Sequence, residues 1–171
     1  MKMDTETVLR LLFEPYSPWL FVMRGPVQKG LGWLDSLRGF MDQPPKIYII
    51  RGIQCRTVPQ LFDEFGRALS FPDYFGKNWD AFDECLFETV EEFIGVSVVF
   101  ITNAESLLRD ANFKEMHLLM NIFQSIATET MQLEPPRIMR IILQEDFNNL
   151  KSLLDKLEAL TINFMVIDIG D

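Results

Sequence analysis

The chain has 171 residues, enough for one domain that buries roughly 70% of the surface its unfolded form exposes. Hydrophobic residues make up 48% and aromatics 12%, a composition that supports a packed core and excludes wholesale disorder. With 25 acidic residues against 16 basic ones, the net charge of −9 disfavours direct contact with nucleic acid and suits a basic protein partner.

Taken in chain order, residues 5–14 read as a short amphipathic helix with Val8, Leu11 and Leu12 on one side, halted by Pro15. Residues 19–23, between Pro18 and Gly25, read as a buried strand far too short to span a bilayer. A short helix is expected over 31–41, closed by Pro44-Pro45. Residues 47–50 form a nearly unbroken apolar run, which predicts a strand covered on both faces. A helix follows over 58–69, with Leu61, Phe62, Phe65 and Leu69 inward. After the helix that begins at Asn78 come a strand at 96–101, a long helix at 113–130 and a strand at 138–143. A helix at 148–160 and a strand at 164–169 complete the pattern. Such alternation predicts an α/β fold with a mostly parallel sheet, because parallel strands need long crossover connections.

The segment Phe71-Pro72-Asp73-Tyr74-Phe75-Gly76-Lys77-Asn78-Trp79-Asp80 carries the clearest functional signal, together with the helix it opens. From Asp73 to Glu92 there are seven acids and one base, Lys77. On this helix Phe82, Cys85, Leu86, Val90 and Phe93 make an apolar stripe, while Asp80, Glu84, Glu88 and Glu91 fall on another side, beside Asp83 and Phe87. Like charges one turn apart repel by a few tenths of a kcal/mol per pair, so such a face is either merely solvated or meets something positive. Gly76 reads as a positive-φ turn residue and Asn78 as a helix N-cap.

Pro72, Asp73, Tyr74, Phe75, Gly76, Asn78, Asp80 and Ala81, followed by Cys85-Leu86, resemble the signature of the barstar family. The likeness continues at 46–52, 57–62, 97–101 and 137–143, so that it covers roughly 46–143. It implies a barstar-like parallel sheet with crossover helices, extended by extra elements at both termini. The expected organisation is a single domain over 1–171: a core at 46–143, an N-terminal extension at 1–45 and a C-terminal helix–strand extension at 144–171. The resemblance also implies a small intracellular inhibitor, an immunity protein of a toxin–antitoxin pair, whose carboxylates mimic phosphates in a basic ribonuclease site. Its partner surface would comprise Tyr74, Gly76, Asn78, Trp79, Asp80, Asp83, Glu84 and Phe87. Asp80 and Tyr74 match interface positions of the family, and Glu84 stands where aspartate is usual. Asp83 and Phe87 depart from the best-known member, and the long helix near Ser125 lacks an additional interface glutamate. A related but distinct basic nuclease is therefore the expected partner, with no direct nucleic acid, no membrane and a monomer before complex formation. The alternative is a regulatory or scaffolding protein of the same fold with a non-nuclease partner.

Enzyme readings fare worse, and no cofactor is expected. His117 stands alone in the middle of the long helix. Gly76-Lys77-Asn78 lacks both the upstream glycine and the Ser/Thr of a phosphate loop, and Gly30-Leu31-Gly32 lacks the third glycine of a dinucleotide loop. Asp80 and Glu84, one turn apart, imitate a metal-binding or acid/base pair, as any acid-rich helix does by chance. Two cysteines, Cys55 and Cys85, make no disulfide framework and read as buried thiols. No long apolar run follows Met1-Lys2-Met3-Asp4, so no export signal is expected and the cytosol is the expected compartment.

Overall fold

A computed structural model describes residues 4–39 and 42–170. Its elements are α1 (Thr5–Phe13), β1 (Leu20–Arg24), α2 (Val27–Gly39), β2 (Lys46–Arg51), α3 (Val58–Leu69), α4 (Trp79–Glu91), β3 (Val96–Thr102), α5 (Phe113–Thr130), β4 (Ile138–Glu145), α6 (Phe147–Ala159) and β5 (Met165–Asp168). The five strands form one all-parallel sheet in the order β2-β3-β4-β1-β5. Among the described residues no helix is long and apolar enough to cross a membrane.

The sheet divides the apolar interior in two. Along β1, Leu20 and Val22 point to one side and Phe21 and Met23 to the other, as a period of two requires. The larger side holds α3, α4, α5 and α6 over Val99, Ile101, Met139 and Ile141. The smaller side holds α1 and α2 over Val96, Val98, Phe100 and Ile142. Arg140, only 2% exposed, lies under the end of α1, where its Nε donates to the Leu12 carbonyl at 3.0 Å. Burial lowers its pKa to about 10, and the negative end of the helix stabilises the cation there.

Local chemistry explains most boundaries. Thr57 and Gln60 form a reciprocal capping box at the start of α3, and Ser70 closes that helix in the left-handed region at φ 54°. Asn78 caps α4 by accepting from the Ala81 N–H at 2.9 Å.

Three expectations are corrected. The second helix starts at Val27 rather than 31, because Gly30 and Gly32 lie inside it; its expected end at 40–41 lies outside the described residues, as do residues 1–3. β2 is an edge strand fully covered on one face and only partly on the other: Tyr48 and Ile50 are buried, Ile47 is half-buried against the smaller core and Ile49 is 42% exposed. The positive φ predicted at Gly76 falls instead on Lys77, at 47°. Gly76 is favoured by space: a Cβ there would meet Asn78 Nδ2 at 3.1 Å.

Candidate functional site

The loop between α3 and α4 is held from beneath by aromatic rings. Phe71 packs edge-on against Phe75, which meets Phe62, and Phe62 also packs against Trp79 and Phe82. Ring centroids 5.0–5.8 Å apart place these contacts in the favourable edge-to-face range. Lys77 joins the loop to α3 through an exposed ion pair with Asp63 at 2.8 Å. Upon this base Tyr74 stands 79% exposed, a large aromatic held out into solvent by a rigid support.

The acidic helix places the predicted residues unequally. Asp80, Asp83 and Glu84 are exposed, and none is in an ion pair among the described residues. Phe87 is half-buried against the larger core. Trp79 is an anchor rather than open surface: its Nε1 donates to Glu115 Oε2 at 2.8 Å and its ring lies on Phe62 and Phe82. Gly76 and Asn78 shape the loop, with Asn78 Nδ2 donating to the Gly76 carbonyl at 3.3 Å.

Glu129 of α5 belongs to this surface and was not among the predicted residues. Partial loss of water raises the Asp83 pKa, and the neighbouring acids Glu129 and Asp80 raise it further. Ser125 Oγ donates to Glu129 Oε1 at 2.8 Å, so the carboxylate is held one turn beyond the position where the sequence lacked one. Its i, i+4 relation to Ser125 was the available signal. Three acids from two helices therefore converge without a bonded cation among the described residues. Among those residues, too, no three of His, Cys, Asp and Glu are grouped as metal ligands. His117 is exposed, and both cysteines are buried free thiols.

Open parallel sheets commonly take ligands at the carboxyl ends of their strands, where the order reverses. Here that place lies between β1 and β4, and a side chain fills it. Gln144, fully buried, donates from Nε2 to the Gly25 carbonyl at 2.7 Å and accepts from the Asn103 N–H at 3.0 Å. Gly25 and Gly30 have the spacing of a phosphate loop, but Leu31 and Gly32 stand where Lys and Ser/Thr are needed. A Cβ at Gly30 would meet Phe100 Cζ at 2.9 Å, so this glycine serves close packing of helix on sheet.

Fold and surface together define a parallel α/β protein that presents an acidic, tyrosine-bearing helix entrance. The profile of the family described as Barstar (barnase inhibitor) matches residues 46–144, and the chain belongs to that family. None of the curated proteins matches it in sequence. Similar solved structures include the ORC2 protein of Aeropyrum pernix in ADPNP–ADP complexes, at 12% identity and TM-score 0.66, covering 96% of this chain and 46% of that one. Cdc6p of Pyrobaculum aerophilum has 18% identity and TM-score 0.61, with 99% and 46% covered. Drosophila ORC bound to AT-rich DNA and Cdc6 has 15% identity and TM-score 0.54, with 96% and 52% covered. This chain thus spans about half the length of each.

These likenesses correct the functional expectation. The immunity protein of a toxin–antitoxin pair, its basic ribonuclease partner and the exclusion of nucleic acid do not stand. The solved structures named above, which share the fold along nearly the whole chain, are ORC and Cdc6 proteins, described with ADP, ADPNP, DNA and Cdc6. The physical reason lies in the frame. The matched stretch supplies β2, β3 and β4, whereas β1 and β5, outside it, complete the sheet compared with those larger chains. At 12–18% identity the likeness defines the fold alone, and carries no initiator activity to this chain.

Proposed function

We propose that this chain is a non-enzymatic binding module of the barstar family, regulatory or scaffolding in role, whose acidic surface takes a non-nuclease protein partner rich in basic side chains. Tyr74, Asp80, Asp83, Glu84 and Phe87 form the recognition surface, with Gly76, Asn78 and Trp79 holding its shape. The module is one domain, a core at 46–143 extended by 1–45 and 144–171.

The observation that carries this reading is the convergence of Asp80, Asp83 and Glu129 from two helices on one face, with no ion pair to Asp80 or Asp83 among the described residues. A carboxylate whose pKa is raised by folding destabilises the folded state once ionised, so the fold at neutral pH bears a cost that protonation or removal relieves. A cation from a partner would reverse the sign of the interaction, since opposite charges favour the ionised form. The ORC structure in complex with Cdc6 and DNA is a macromolecular assembly, which fits a module that works by being bound.

The test has two arms. Asp83→Asn should raise stability at neutral pH, with the gain shrinking as the solution is acidified through the raised pKa of Asp83. A triple variant carrying Asp80→Asn, Asp83→Asn and Glu84→Gln should lose a protein that the wild type retains from host extract at low salt, as judged by mass spectrometry. Long-range attraction to a basic partner weakens with salt, so retention should fall as ionic strength rises. The reading fails if every protein retained by the wild type is retained equally by the triple variant.

A further inference from the structure

A cavity of about 430 Å³, lined by Tyr74 but not by Asp80, lies between the end of α3, the loop, α4 and the start of β2. Its lining includes Lys46, Tyr48, Phe71, Tyr74, Glu88 and Glu92. Three independent features mark it. Tyr48 is only 8% exposed, and its hydroxyl is buried without a hydrogen-bond partner. A buried polar atom left unpaired costs stability and calls for an explanation. Glu88 and Glu92 add two carboxylates, neither in an ion pair among the described residues. Burial raises the pKa of Cys85 on the same wall, and the neighbouring carboxylates of Glu88 and Glu84 raise it further. Finally, the chain's own cation already lies at the wall: Lys46 Nζ is 5.4 Å from the Tyr48 ring centroid. That distance is within the range of a cation–π attraction.

We propose that this cavity binds the guanidinium of an arginine side chain from a protein partner. Two carboxylates against one lysine leave the site net negative. A planar cation with five N–H donors stacks on the rings of Phe71 and Tyr74 and gives the Tyr48 hydroxyl a donor to accept from. A lysine ammonium fits less well, because it is more strongly hydrated and has no plane to stack. The proposal rests on the chain being a protein-binding module, but a small probe tests it separately.

The probe is N-acetyl-L-arginine amide, titrated into the full chain and followed by backbone amide NMR shifts. Saturable shifts should appear at residues 46–48, 69–74 and 85–92, with the lysine analogue binding more weakly. Glu88→Gln combined with Glu92→Gln should weaken binding about tenfold or more, the value of lost hydrogen bonds to charged groups. Tyr48→Phe should weaken it while leaving the free protein as stable or more so, and Lys46→Met should tighten it. Asp80→Ala should leave it unchanged. Shifts spread evenly over all acidic surface, or unaltered binding in the Glu88 and Glu92 variant, would overturn the proposal. If arginine binds as described but no protein depends on Asp80, Asp83 and Glu84, the wider functional reading fails and the cavity site survives; the reverse result removes the cavity site alone.

Discussion

Glu64 sits in α3 at 4% exposure, and two arginines meet it. Arg51 donates from Nε and Nη2 at 2.9 and 2.7 Å, and Arg67 Nη2 donates at 2.7 Å. The Arg51 backbone N–H adds a bond at 3.0 Å, so the carboxylate ties the end of β2 to α3. Burial by itself raises the Glu64 pKa, but the hydrogen bonds from Arg51 and Arg67 outweigh it and bring the value from 4.5 to about 2. At ~1.4 kcal/mol per pKa unit this difference corresponds to about 3 kcal/mol. Both guanidiniums are half exposed, at 52% and 55%, so water screens them and about 1–2 kcal/mol is the expected net contribution. The folded pKa is depressed, so this stability is fully present above the unfolded value of 4.5 and is lost as pH falls towards about 2. Urea denaturation of wild type and Glu64→Gln is the assay. The variant should be less stable by about 1–2 kcal/mol near neutral pH, and the gap should narrow markedly by about pH 3. A gap of the same size at both pH values, or none near neutrality, would refute the assignment of this energy to the ionised carboxylate.

Leu86 is fully buried on the inner stripe of α4, so Leu86→Ala should cost about 2–5 kcal/mol in the same denaturation assay, and a loss near zero would show that the helix register is wrong. Gly52 follows β2 where the chain passes close to the end of β3; a Cβ there would press on the backbone oxygens of Thr102 and Asn103, the latter at 2.6 Å. Backbone cannot yield as a side-chain tip does, so Gly52→Ala should destabilise by about 1–3 kcal/mol or more, and an unchanged midpoint would show that β2 and β3 separate freely.

Much of this protein was written in short-range chemistry. The bounds of α3 and α5 follow directly from Thr57 with Gln60, from Asn112 and from the apolar stripes behind them, because a cap or a period of 3.6 needs only neighbouring residues. Asn78 and the Phe82, Cys85, Leu86 and Val90 stripe likewise oriented α4, which left Asp80, Asp83 and Glu84 facing solvent. The strand order was not legible. Nothing local in residues 20–24 says that β1 lies between β4 and β5, and the edge position of β2, with Ile49 half in water, follows from that order rather than from its apolar run. The site shows the same division. That α4 is acidic is a property of the sequence, but Glu129 joins Asp83 and Asp80 only because α5 packs beside α4. The unpaired Tyr48 hydroxyl and its cavity arise where the end of α3, the loop and α4 meet Lys46 and Tyr48 of β2. Charge and periodicity are carried by each residue, whereas proximity between distant residues is set by how the crossovers stack on the sheet. Only the tertiary structure decides that.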